Sequence, residues 1–151
     1  HALDVKTILP NLDIVTTAYI VPTTLMHLHS LIIETRENVS VDRLIDTLNR
    51  VKRIILVDSE KTGIYSTSGL IEFARDIGRF RYDIPENIVW LNSIYVNGNE
   101  ILLSQAIHQE SIVIPANIDV VKSMTGIELD KWKAIDETDQ ALGLGGLKNY
   151  V

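Results

Sequence analysis

Apolar positions along the chain switch several times between strand-like and helix-like spacing. Asp13–Val21 (DIVTTAYIV) is rich in Val, Ile, Thr and Tyr and stops at Pro22, a strand signature. Leu28–Thr35 (LHSLIIET) reads as a second strand, and the short link Pro22–His27 favours placing the two side by side. Ser40 is placed as an N-cap, and Val41, Leu44, Ile45 and Leu48 recur at i, i+3, i+4 and i+7, predicting an amphipathic helix that ends near Arg50 to Lys52. Ile54–Val57 is a short apolar strand, and Ser59–Thr67, containing Gly63, reads as a polar loop. Ser66–Ser68 supplies caps for a second helix, whose Leu70, Ile71, Ala74 and Ile77 repeat at helical spacing before Gly78 stops it.

Ile88–Val96 is the next extended segment, and Asn97-Gly98 turns it back into Glu100–Ile107 as a hairpin. Pro115 is placed as the first residue of a third helix, with Ile118, Val121 and Met124 as its stripe and Gly126 as its end. A last helix is expected over Leu129–Leu142, with Trp132, Ile135 and Leu142 on its apolar side, followed by a Gly-rich tail, GLGGLKNYV, ordered by contact or frayed. There is no internal repeat and no linker long enough to divide the chain.

Strand residues are apolar on both faces: Ile14, Ala18 and Ile20 alternate with Val15, Tyr19 and Val21, and Leu28 and Ile32 with Leu31 and Ile33. Both faces therefore want cover. The expected fold is α+β, a mostly antiparallel (mixed) sheet of five or six strands with helices packed on one face, the other covered by a partner subunit or domain.

At 151 residues, 46% apolar and 23% charged, the chain has material for one packed core. The net charge of −6 and the scattered basic residues leave no cationic stripe for a nucleic-acid backbone. No apolar run approaches the roughly 20 residues that a membrane-spanning helix needs, and Asp4 and Lys6 do not fit a secretory leader. A cytoplasmic location is expected, which the lack of cysteine suits. The start at His1, without Met, suggests the later part of a longer polypeptide.

With no cysteine, reactive groups reduce to four His, the carboxylates and hydroxyl-bearing segments such as Pro22-Thr23-Thr24. His27 and His29 project to one face of extended chain, where they could hold a metal with His108 or Glu110. The plainer reading makes these imidazoles buried, hydrogen-bonded supports of the turn. A third makes one of them a general base, suited by an ordinary pKa of about 6.5. Ser66, Thr67 and Ser68 with Gly69 could bind phosphate at a helix start, although N-capping explains them as well. The GLGG tail lacks the strand and helix context of a dinucleotide fingerprint. Trp90 and Trp132 read as core or interface anchors, and Glu128–Asp139 as a solvated helix face.

Three stretches together carry a resemblance: Asp4–Ser30 (DVKTILPNLDIVTTAYIVPTTLMHLHS), Ser66–Arg79 (STSGLIEFARDIGR) and Gln105–Met124 (QAIHQESIVIPANIDVVKSM). They resemble, in order and at matching separation, the C-terminal catalytic half of archaeal-type glyceraldehyde-3-phosphate dehydrogenase, and the likeness continues through KWKAIDETDQALG. The resemblance implies that residues 1–151 are the catalytic domain of a two-domain enzyme, whose N-terminal Rossmann domain and catalytic cysteine lie outside this chain. It implies oxidation of glyceraldehyde 3-phosphate with inorganic phosphate and NAD or NADP, through a cysteine thioester, in a cytoplasmic homotetramer without nucleic-acid or membrane partners.

Carried over by motif, the resemblance makes His27 the catalytic base, His1 and Ala2 substrate contacts and Gln109 a cofactor contact, with His29 and His108 in support and no metal. Ala2-Leu3 stands where the family pattern commonly has Gly-Pro, and Ile112 and Ala116 replace acidic residues. The alternatives are a non-catalytic oligomerisation domain of the same fold and a His-metal hydrolase using His27, His29 and His108.

Overall fold

The computed structural model describes residues 1–23 and 25–149. Thr24 of the hydroxyl-bearing link, and Tyr150 and Val151 of the tail, lie outside the described residues. The chain opens with a short helix, α1 (Ala2–Ile8), followed by residues 12–21 in no regular element. The strand expected over Asp13–Val21 is therefore not formed, because a strand needs a neighbour to take its N–H and C=O groups and this segment pairs with none in the sheet. Val15, Tyr19 and Ile20 are left exposed. The α1 helix was not legible in the sequence, and it buries no residue.

The remaining elements are β1 (Met26–Glu34), α2 (Val41–Arg50), β2 (Ile54–Val57), α3 (Ser59–Thr62), α4 (Thr67–Asp76), β3 (Asn87–Trp90), β4 (Tyr95–Asn97), β5 (Glu100–His108), α5 (Val113–Met124) and α6 (Lys131–Leu142). Ser40 caps α2 by accepting from the Arg43 N–H at 3.2 Å, and Ser66 caps α4 by accepting from the Gly69 N–H at 3.1 Å. The stretch read as a polar loop instead contains α3, started by the Asp58 carboxylate and ended by Gly63 at φ 73°. The expected strand Ile88–Val96 is broken by a 3₁₀ turn at Leu91–Ser93, where the Ser93 hydroxyl donates to the Trp90 carbonyl. Pro115 lies in the third position of α5, not the first.

Five strands form one mixed sheet in the order β1-β5-β3-β2, with β4 also on β5. β1, β3 and β4 run antiparallel to β5, while β2 and β3 are parallel, joined by a crossover carrying α3 and α4. The expected α+β class is what the chain adopts. Register places Asn97 opposite Glu100, so the hairpin closes through Gly98 and Asn99.

Side-chain alternation divides the core in two. Ile55, Val57, Ile88, Trp90 and Ala106 cluster with Leu70 and Ala74 of α4 on one face. Leu56, Val89, Ile101 and Leu103 cluster with Leu44, Ile45 and Leu48 of α2 on the other. Where one-sided helices were expected, α4 and α2 thus cover opposite faces, because β2 and β3 are apolar on both. The end of the sheet nearest β1 is barer. Leu28, Ile32, Tyr95 and Leu102 share a face by register and are all exposed.

The last helix also turns differently from expectation. Ala134, Thr138 and Asp139 are its buried residues, while Trp132 stays 67% exposed with Lys131 Nζ 4.4 Å from its ring centroid. A polar anchor outweighs the apolar pattern: Arg53, before β2, reaches both α5 and α6 through Asp119 and Asp139. The tail is ordered by contact as far as described, since Leu147 enters the core.

Candidate functional site

Paired residues of antiparallel strands point to the same face. β1 therefore places His27 and His29 on the face shared with Ile107 and Gln105, whereas His108 pairs with Met26 and stands on the opposite one. His27 is exposed, and its ring centroid lies 6.1 Å from that of His29, with the planes at 60°. His108 is fully buried, its Nδ1 accepting from the Ser111 N–H at 3.3 Å and its Nε2 without a hydrogen-bond partner, 4.0 Å from Asp83 Oδ1. Burial lowers its pKa below the ordinary value and outweighs the opposing pull of Asp83.

This geometry sorts the three readings of the histidines. The sheet separates His108 from the H-x-H pair, so the set proposed for a metal hydrolase is not assembled. No group of three His, Asp or Glu side chains that could hold a metal occurs among the described residues. His108 is the buried structural imidazole. His27 remains open to a reactant.

His29 is half-buried and tied down. Gln105 Nε2 lies 3.0 Å from its Nδ1, and Gln105 Oε1 accepts from Asn87 Nδ2 at 2.7 Å. Burial, and then the neighbouring His27, lower the His29 pKa. Sequence reasoning missed the part played by Gln105 and Asn87. The available signal was a polar side chain inside the apolar strand β5, where alternation places Gln105 beside the two imidazoles.

Gln109 follows β5 in an exposed turn, and its N–H donates to the Leu25 carbonyl at 2.8 Å. That bond seats it at the end of β1 that carries His27, leaving its side-chain amide open. Leu25 itself sits at φ 55°, a left-handed conformation that costs a non-glycine residue about 1–2 kcal/mol. His1 and Ala2 are placed differently: the Ala2 N–H donates to Thr16 Oγ1 at 3.1 Å, while the His1 amino group pairs with Asp4 at 3.6 Å and its carbonyl accepts from the Val5 N–H, so neither bonds to the imidazoles. At α4, the hydroxyl of Ser66 is spent on capping, and Thr23 Oγ1 lies 3.5 Å from Thr67 Oγ1, joining the link before β1 to the helix start. Trp90 is a core anchor, donating from Nε1 to the Ile64 carbonyl at 2.9 Å. A cavity of about 480 Å³ beside α6, lined by Lys52, Asp136, Gln140 and Lys148 among others, includes none of the candidate residues.

These features define an α+β domain with an open mixed sheet that presents an imidazole pair at one end. The family model described as glyceraldehyde 3-phosphate dehydrogenase, C-terminal domain, matches residues 1–80. The chain is 51% identical over 144 residues to the glyceraldehyde-3-phosphate dehydrogenase of Hyperthermus butylicus, covering 95% of this chain and 42% of that protein. It is 47% identical over 151 residues to the enzyme of the same name from Sulfurisphaera tokodaii, covering 100% of this chain and 43% of that one. The corresponding protein of Archaeoglobus fulgidus is 49% identical over 145 residues, 96% of this chain and 42% of the relative. The chain belongs to the glyceraldehyde-3-phosphate dehydrogenase C-terminal-domain family. It spans about two fifths of the length of these relatives. No helix among the described residues is long and apolar enough to cross a membrane.

Proposed function

We propose that this chain is the part of a phosphorylating glyceraldehyde-3-phosphate dehydrogenase catalytic domain that supplies the general base, His27. The observation that carries this reading is an exposed imidazole on a rigid paired strand, in the motif TTLMHLHS, with Gln109 hydrogen-bonded to the same strand end. The nucleophile is a cysteine contributed from outside these residues, since the chain has none. The isolated chain is therefore expected to be inactive.

His27 has two tasks. It accepts a proton from the thiol, making the thiolate that attacks the aldehyde carbon, returns that proton to the resulting alkoxide, and then takes the hydroxyl proton of the hemithioacetal as that carbon loses hydride. Inorganic phosphate then displaces the thiol from the thioester, giving 1,3-bisphosphoglycerate. The open side-chain amide of Gln109 fits a carboxamide such as that of nicotinamide, and NAD or NADP supplies the hydride acceptor when bound. In this reading His1 and Ala2 approach the substrate only with rearrangement of the Thr16 contact. The working form is a cytoplasmic homotetramer, in which subunit contacts cover the exposed Leu28, Ile32, Tyr95 and Leu102.

The test is His27→Asn in the two-domain enzyme that carries this segment. The expected result is a kcat about a hundredfold lower or worse, with fold and assembly retained. Near-intact kcat would return His27 to a structural role.

A further inference from the structure

His27 and His29 are chemically equivalent in sequence, yet the structure surrounds them differently. Gln105 stands directly across from His29 in the β1–β5 register, and Asn87 approaches Gln105 from β3. Because Asn87 Nδ2 donates to Gln105 Oε1, the amide of Gln105 is oriented with its NH₂ group toward His29. An NH₂ group can only donate, so His29 Nδ1 must present its lone pair and the ring proton sits on Nε2. A second proton at Nδ1 would set N–H against N–H.

We propose that Asn87 and Gln105 are positioning residues that hold His29 as the neutral Nε2–H imidazole, reserving proton transfer for His27. The proposal rests on the catalytic reading of His27 given above and deepens it. Two adjacent imidazoles that both titrate would divide one proton between them, and each would blunt the other as a base. Fixing one ring neutral removes that competition.

The surroundings act in the same direction. The side chains facing the pair from β5 are Gln105 and Ile107, and from β3 Asn87, none of them charged. Burial is the larger influence lowering the His29 pKa, and His27 is the one titratable group acting with it among the described residues. His29 is therefore protonated less readily than an ordinary imidazole.

The experiment reads the His29 tautomer by ¹⁵N NMR in the two-domain enzyme, beside the pH profile of kcat. In the unaltered protein, His29 should show a protonated Nε2 and an unprotonated Nδ1 at pH 7. Asn87→Asp reverses the relay without touching either histidine. Its carboxylate accepts from Gln105, turns Oε1 toward His29 and draws a proton onto Nδ1. The expected results are a changed His29 proton pattern, a kcat about tenfold lower with little change in KM, and a displaced acid limb of the profile. Gln105→Met, similar in length and uncharged, serves if the aspartate variant fails to fold, and should free His29 to titrate.

A protonated Nδ1 at His29 in the unaltered enzyme overturns the proposal, as does a proton pattern that both variants leave unchanged. If the pattern changes but the kcat profile does not, the positioning role is refuted. Loss of the His27 reading is recognised separately, by full activity of His27→Asn.

Discussion

Arg53 Nε donates to Asp139 Oδ1 at 2.7 Å while its Nη1 donates to Asp119 Oδ2 at 2.8 Å, so one side chain joins the start of β2 to both C-terminal helices. All three side chains are mostly buried. Removing the cation leaves two carboxylates facing each other out of water, which is costlier than losing one surface pair. Arg53→Met is expected to lower stability by about 3–5 kcal/mol. A urea midpoint equal to that of the unaltered chain would show that the junction contributes nothing.

The same junction sets acid sensitivity. Burial opposes ionisation of Asp119, but its hydrogen bonds, first that from Arg53, outweigh it and hold the carboxyl below the ordinary 3.8. A carboxyl with a depressed native pKa stabilises the fold fully above the unfolded value, and the contribution fades as pH falls through the native one. Stability should therefore decline below about pH 4. Asp119→Asn, measured by denaturation across that range, should flatten the decline.

His108 predicts a loss of stability in a milder range. Its native pKa lies below 6.5, so as pH falls through 6.5 the unfolded chain takes up a proton that the folded one refuses. The slope approaches about 1.4 kcal/mol per pH unit between the unfolded and native values. His108→Gln should remove this slope, leaving the share of His29, which is shifted the same way. An unchanged slope between pH 7 and pH 5 would mean that His108 charges within the fold.

Gly98 supplies a backbone test. It sits at φ 62° in the β4–β5 turn, and a Cβ there would meet only Asn38 Oδ1, at an ordinary 3.6 Å. The cost of Gly98→Ala is therefore conformational, about 1–2 kcal/mol, and should appear as a lower melting temperature with the fold unchanged. Replacement with no loss of stability would mean that the turn relaxes to another type.

Elements whose signals are local were readable from sequence. Ser40 and Ser66 cap the helices they were expected to cap, and the hairpin signalled by Asn97-Gly98 forms, closing one residue later through Gly98 and Asn99. Of the site, the pairing of His27 with His29 on one face followed from alternation alone, and the placement of Gln109 at the same strand end agrees with the motif. Features that depend on distant partners were not readable. Asp13–Val21 has strand composition, but composition supplies no neighbouring ladder. The burial of α6 is decided by Arg53, more than eighty positions from Asp139. Gln105 and Asn87 gain meaning only when β3 and β5 lie side by side.

β1 has nine residues and hydrogen-bonds to β5 along one margin only, with its other margin at the limit of the sheet. An edge of that length, with no strand beside it among the described residues, is a template for any extended peptide that meets it, the chain's own copies included. Expressed at high concentration, this polypeptide will begin self-association along that edge, and a single proline or lysine directed outward there would be the most economical way to keep it in solution.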